Sequence, residues 1–146
     1  MSTVNVFSGS IISKANPNLA FQTETNLGDN QTVLTAAQVI GGMFIAAPNA
    51  SRTQTLPTAA LLVAAIPGIA VGSTIDFSIQ NQAAVAVLET LILPASITST
   101  LNGAQLIVPG FFTGGGAASS SGCATFRLRC TNITAAAEAF VLYRIS

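Results

Sequence analysis

The sequence lacks the residues on which most enzyme active sites depend. It contains no histidine, which excludes the usual general base, the imidazole metal ligand and the Ser-His or Cys-His nucleophile pair. Only 7% of its 146 residues are charged, and the net charge is zero. Nucleic-acid binding depends on Lys and Arg neutralising phosphates, so this balance argues against it. We therefore expect a protein that is not an enzyme, needs no cofactor or metal and binds no nucleic acid.

Long apolar runs are also absent, although half of the residues are hydrophobic. Residues 59–71 form the most apolar run, but Pro67 and Gly68 interrupt it, and it is shorter than the ~20 residues that a spanning helix needs. The next run, residues 83–95, contains Glu89. The first residues lack the basic start and apolar stretch of a signal peptide. The sequence thus predicts synthesis in a cytoplasm and no membrane partner.

Short strands separated by turn residues dominate the pattern. Residues 74–80 and 125–130 alternate strictly between apolar and polar side chains, which is typical of half-buried strands. Residues 139–145 are apolar on both faces up to Arg144, which predicts a central strand or one that a partner covers. Weaker strands are predicted at residues 5–12, 20–25, 43–46, 53–56, 84–93 and 105–108.

Two short helical turns interrupt the strands. Residues 35–38 have the spacing of a capping box, and Gly41 and Gly42 follow as a stop. Residues 57–65 begin with Pro57 and end before the next Pro-Gly pair. Many short strands with few helices indicate an all-β fold, which we expect to be an antiparallel, jelly-roll-like β-sandwich. Residues 1–30 are predicted to be an extended arm and residues 31–146 the sandwich domain.

Two carboxylates deserve comparison with a catalytic pair. A short loop after residue 80 would place Asp76 and Glu89 opposite each other across a hairpin, where like charges destabilise unless a cation lies nearby. Arg127 or Arg129 could supply that cation. Solvated or salt-bridged carboxylates are the simplest interpretation, and a hydrolytic dyad or a calcium site is the alternative. The three arginines of the last two strands, which include Arg144, predict either ion pairs or a basic patch.

The cysteines and the glycine-rich segment predict structure rather than chemistry. Cys123 and Cys130 are seven residues apart on one predicted strand, a distance of roughly 23 Å when extended, which is beyond disulfide reach. Cys130 is expected in the core. Residues 114–122 lack the Gly-Lys-Ser/Thr ending of a phosphate-binding loop and predict a surface tip between strands.

A series of segments resembles small virion proteins of tailed phages and large DNA viruses. The matching segments are residues 34–42, 55–62, 71–81, 125–129 and 138–144, so the resemblance spans about residues 31–146. It is a likeness in the style and order of segments, and it contains no catalytic motif. The resemblance implies a jelly roll, often trimeric, that acts as a capsid decoration (cement) protein, a minor capsid protein or a fibre head.

The expected function follows from this resemblance and from the low charge. Too few charges to coat a monomer, with no net repulsion, favour association of subunits. We expect a homotrimer on the capsid surface of a virion that stabilises the shell by contacting the major capsid protein. The alternative is the receptor- or glycan-binding head of a tail fibre or spike, with residues 111–113 and 114–122 as the contacting tips. A carboxylate-dependent hydrolase is the third hypothesis.

Overall fold

The computed structural model of the protein describes most of the chain after residue 21. The described residues are 5–7, 10–12, 22–83, 87–99, 101–110, 112–113, 119–120 and 122–146. Strands dominate them, and two sheets contain most of the strands. Of the predicted tips at residues 111–113 and 114–122, residues 111, 114–118 and 121 lie outside the described residues.

The larger sheet has six strands, and the smaller has four. The larger one runs in the order β3 (Thr23–Gly28), β5 (Gly42–Ala46), β7 (Thr74–Asn81), β13 (Cys123–Asn132), β14 (Ala139–Arg144), β9 (Ile97–Ser99). The smaller one runs β10 (Ile107–Pro109), β8 (Leu88–Ile92), β6 (Arg52–Thr55), β4 (Thr32–Val33). Two separate pairs are β1 (Asn5–Phe7) with β2 (Ser10–Ile12), and β11 (Phe112–Thr113) with β12 (Ser119–Ser120).

Successive strands from β3 to β10 alternate between the two sheets. Within the larger sheet β3, β5 and β7 are therefore parallel neighbours, and within the smaller sheet β4, β6 and β8 are too. Parallel neighbours need crossover connections; here each crossover includes a strand of the opposite sheet. This part of the chain winds as three stacked coils, an arrangement related to β-solenoids.

The prediction of an antiparallel sandwich is correct only in part. The pairs β7–β13, β13–β14 and β8–β10 are antiparallel. The coils and the β9–β14 pair are parallel, so an all-antiparallel sheet is wrong and the jelly-roll connectivity is not confirmed. The physical reason is that the chain changes sheet after each strand from β3 to β9, so consecutive strands there cannot form a hairpin. The coarser prediction of a mostly β fold is confirmed, and the mixed sheets are compatible with a sandwich.

One hydrophobic core lies between the sheets. The apolar sides of the two alternating segments are buried as predicted: Ile75, Phe77, Ile79, Phe126, Leu128 and Cys130. Leu91 and Val108 of the smaller sheet belong to the same core. Phe77 stacks on Phe126 at 5.5 Å between ring centroids and meets Phe44 edge-on at 6.0 Å. The strand at 139–144 lies between two others, which confirms it as a central strand.

The two predicted helical turns are present and capped as expected. In α1 (Ala36–Gly41) the Thr35 hydroxyl accepts from the Gln38 backbone N–H, and the Gln38 side chain accepts from the Thr35 N–H at 2.8 Å. This capping box is confirmed, and Gly42 ends the helix at φ 88°, a conformation that favours glycine. In α2 (Ala59–Ala65) the cap is Thr58, so Pro57 precedes the helix instead of opening it.

Several weaker strand predictions need adjustment. Residues 5–12 form two short paired strands instead of one. Residues 103–106 form a 3₁₀ turn, and only Ile107–Pro109 is a strand. Thr23–Gly28, assigned to the arm from sequence, is the first strand of the six-stranded sheet. The division into an arm and a domain otherwise stays a prediction.

Candidate functional site

The two carboxylates considered as a pair lie on different sheets. Asp76 points outward from β7 and is exposed, whereas Glu89 points inward from β8 and is 1% exposed. The predicted hairpin is wrong because the chain crosses to the other sheet after β7, and β7 pairs with β5 and β13 instead. The hydrolytic dyad depended on that hairpin, so the geometry offers it no support.

Asp76 forms an ion pair on the outer face of the larger sheet. Arg127 is its Cα partner on the neighbouring strand, and its Nε and Nη2 donate to the two carboxylate oxygens at 2.7 and 2.6 Å. This bidentate contact is the strong geometry for arginine and carboxylate. It holds the pKa of Asp76 below its usual value. The salt-bridged interpretation is therefore confirmed for Asp76.

The three arginines of the last strands do not form one patch. Arg127 and Arg129 are exposed on the outer face, whereas Arg144 lies on the face that carries Phe140 and Leu142. Arg144 Nη1 donates to the carbonyls of Gln105 and Ile107, both at 3.0 Å. Its guanidinium also lies 5.8 Å from the Phe126 ring centroid, within range of a cation–π contact. Arg144 thus connects the two sheets.

A second ion pair was not predicted from sequence. Arg52 Nε donates to Asp29 Oδ1 at 2.8 Å, and the Asn49 backbone N–H donates to the same oxygen at 2.9 Å. These contacts lower the pKa of Asp29, the Arg52 bond most strongly. The pair joins the turn after β3 to the start of β6. Asp29 and Arg52 are 23 residues apart, so only the parallel coil brings them together.

The cysteines occupy one strand, as predicted. Cys123 is exposed at the start of β13, and Cys130 is buried toward its end. The Cys130 thiol donates to the Asn132 carbonyl at 3.7 Å, and burial raises its pKa. Since the strand between them is continuous, the two sulfurs cannot join to each other.

An open groove lies where α2 meets the turn at residues 94–96. Its volume is about 430 Å³, and its lining is Thr58, Ala60, Pro94, Ala95, Ser96, Ala136 and Glu138. The Ser96 hydroxyl accepts from the Ala59 backbone N–H at 2.9 Å and so positions the helix. Glu138 is the one titratable side chain in this described lining, which leaves the groove without an acid–base pair.

The outer face of the four-stranded sheet is the most unusual surface among the described residues. Its side chains alternate with the buried Gln54, Glu89, Leu91 and Val108. The outward residues, which we call the neutral face, are Val33, Thr53, Thr55, Leu88, Thr90, Ile92, Ile107 and Pro109. None of these eight is charged. Val33 and Ile92 are 65% and 44% exposed, and exposed aliphatic patches are typical of interaction sites.

The outer face of the six-stranded sheet provides a contrast. It carries Glu24, Asp76, Arg127 and Arg129 beside its threonines and serines. Sequence reasoning missed the neutral face because no contiguous segment contains it. The sequence does show that residues 53–55, 88–92 and 107–109 have no charged side chain at their outward positions. It does not show that these three segments belong to one sheet.

In the described part of the chain, no group of three or more Cys, Asp or Glu side chains lies close enough to hold a metal ion. No helix among these residues has the length and hydropathy to cross a membrane.

Comparisons with known proteins add no relative. No protein-family model, curated protein or solved structure matches the chain. The resemblance to virion proteins therefore depends on the sequence segments alone.

Proposed function

We propose that the protein is a structural component of a virus particle, which assembles as a homotrimer on the capsid surface and stabilises the shell. The virion part of this proposal comes from the sequence resemblance. The assembly part comes from the neutral face, which is the single observation that carries it. Such a protein acts through buried contact area with its own copies and with the major capsid protein, and not through bond chemistry.

The neutral face fits a second copy of the chain better than a charged partner. It presents five aliphatic or proline side chains and three threonines, and burying apolar surface is the main driving force of association. A phosphate, an acidic peptide or a basic peptide would find no opposite charge on it. In a trimer each neutral face contacts a different surface of the next copy, because two identical faces in contact close a dimer. The zero net charge of the chain causes no repulsion between copies.

The proposed assembly can be tested by placing a charge on the neutral face. Thr90 lies on the inner strand β8, between Thr53 and Ile107, so Thr90→Glu puts a carboxylate near its centre. Thr125→Glu is the matched control, because Thr125 is also half-buried on the outward side of an inner strand, but in the other sheet. Light scattering after size exclusion should give three times 14.8 kDa for the parent and for Thr125→Glu, and a smaller mass for Thr90→Glu.

Three outcomes would contradict this assignment. A monomeric parent at micromolar concentration would exclude the trimer. Loss of the trimer in Thr125→Glu but not in Thr90→Glu would move the interface to the six-stranded sheet, whose strand at 139–145 was predicted from sequence to be central or covered by a partner. A trimer unchanged by either charge would remove both faces from the interface. Circular dichroism should show the parent fold in each variant.

The virion part needs its own test. Antibodies raised against the protein should label the outside of virus particles in electron micrographs, at positions with three-fold symmetry. Particles without label would exclude a capsid location, while label confined to the tips of fibres would favour the receptor-binding alternative.

A further inference from the structure

A few polar side chains are buried in the interior of the fold. Among the described residues, Gln54, Asn81 and Glu89 are the buried polar or charged side chains. Gln54 donates to the Asn30 carbonyl at 2.7 Å and to Glu89 Oε2 at 3.0 Å, while its own oxygen accepts from the Thr32 N–H at 3.2 Å. The amide of Gln54 therefore has a partner on both its nitrogen and its oxygen.

Asn81 is equally well paired. Its Nδ2 donates to the carbonyls of Val87 and Val108 at 3.1 and 3.0 Å, and its Oδ1 accepts from the Ala83 N–H at 3.1 Å. Glu89 differs, because its Oε1 is buried and has no hydrogen-bond partner among the described residues. The unsatisfied atom thus belongs to the one side chain of the three that can take up a proton.

The charged groups that face Glu89 do not neutralise it. Arg52 is its Cα partner on β6, but the Arg52 guanidinium is bonded to Asp29 at 2.8 Å. Asp29 carries a like charge, which opposes ionisation of Glu89. The described residues of β10 include no titratable group, and Asp76 on β7 points away from the core. A carboxylate at Glu89 would be buried with one oxygen unpaired, which is costly in a protein interior.

We propose that Glu89 is a proton-binding site, which holds a proton in the folded protein and makes the fold more stable in mildly acidic solution than at neutral pH. Burial raises the pKa of Glu89 above its ordinary 4.5, while the Gln54 hydrogen bond and the Arg52 charge oppose the rise. A raised value in the folded state gives a stability contribution that is complete below 4.5. That contribution is lost as the pH rises through the folded-state value. This inference is independent of the proposed virion function.

The absence of histidine makes this property measurable. In most proteins histidine dominates the titration between about pH 5 and pH 8. Here both aspartates, Asp29 and Asp76, have lowered pKa values, because each is bonded to an arginine. Between about pH 5 and pH 7, a change of stability can therefore be assigned to Glu89 by one substitution.

The experiment compares urea unfolding of three proteins at fixed concentration, from about pH 5 to about pH 7. The parent protein should have its higher urea midpoint at the acidic end, with a slope equivalent to at most one proton taken up on folding. Glu89→Gln, which mimics the protonated side chain, should lose this slope and match or exceed the parent midpoint at the neutral end. Glu24→Gln, which changes an exposed glutamate, should keep the parent slope.

Two results would overturn the proposal. One is a parent midpoint that is flat or falls toward acid; the other is a Glu89→Gln variant that keeps the full slope. If Glu89→Gln does not fold, carbon NMR of the parent decides the question. The Glu89 carboxyl should then titrate with a raised pKa, and an ordinary pKa for this group would refute the site.

Discussion

Replacing Phe77 with alanine is the most direct test of the core between the sheets. The Phe77 ring is fully buried and contacts two other rings, stacked on Phe126 and edge-on to Phe44. The Phe77 backbone pairs with Phe126 on β13, and the next residue, Ser78, pairs with Met43 on β5. Neither strand can move into the space left by the ring without losing its hydrogen bonds, so we expect the cavity to stay largely open.

The expected magnitude follows from this rigidity. A buried Phe→Ala substitution costs about 3–5 kcal/mol, and the loss of two aromatic contacts favours the upper part of that range. For a chain of this length, each kcal/mol lowers Tm by about 2–4 °C, so the Tm of Phe77→Ala should be lower than that of the parent by about 6–20 °C. Since whole domains are stable by only about 5–15 kcal/mol, Phe77→Leu should accompany it as a milder variant with a smaller loss in the same direction.

The assay is urea unfolding at one protein concentration, because subunit association would otherwise shift the midpoint. Ser78→Ala is the matched control. It changes the next residue of the strand, which points outward, and should stay within about ±0.5 kcal/mol. Equal effects at the two positions, or a loss of stability below about 1 kcal/mol for Phe77→Ala, would refute the burial of Phe77 between Phe44 and Phe126.

Two further predictions concern the Asp29 ion pair and the N-terminal residues. Asp29 has a lowered pKa, so its stabilising contribution should be lost as the pH falls through that lowered value. In urea titrations Asp29→Asn should therefore be less stable than the parent at neutral pH. Between about pH 4 and pH 2 the variant should lose less stability than the parent does. An unchanged acid profile would show that Arg52 does not stabilise the fold through Asp29. Deleting residues 2–20 tests the predicted arm. If the arm binds a neighbouring subunit or the shell protein, the truncated protein should keep a normal thermal transition and lose particle binding, whereas aggregation or loss of the transition would assign the segment to the fold.

Local patterns of the sequence were sufficient to predict the structure of a segment wherever that structure depends on the segment's own residues. The alternation at 74–80 and 125–130 placed Phe77 and Phe126 inward correctly, because a strand with one buried face repeats every two residues. The capping box at Thr35 was also predictable, since both of its partners lie within four residues.

Pairing between segments was not predictable in the same way. The interpretation of Asp76 and Glu89 assumed that a short connection after β7 makes a hairpin. The structure instead sends β8 to the other sheet, where Asn81 joins the two sheets through the carbonyls of Val87 and Val108. Those carbonyls lie 6 and 27 residues away, so no local pattern reveals them. The same limitation hid the Arg52–Asp29 pair and the neutral face, which exist only because the coils stack.

The small number of charges and their positions together explain why one face of the fold is neutral. The chain has five basic and five acidic residues, and several are already bonded within the subunit. Arg52 and Arg127 each hold an aspartate, and Arg144 is bonded to backbone carbonyls. Both charged residues of the four-stranded sheet, Arg52 and Glu89, lie on its inward side, so its outer side has threonine and aliphatic side chains alone. A protein that stays monomeric benefits from outward charges, because they keep its copies apart. The neutral face has no such charges. A subunit that must bury that face gains a contact without unpaired charges, and this asymmetry is the physical basis for proposing an assembly.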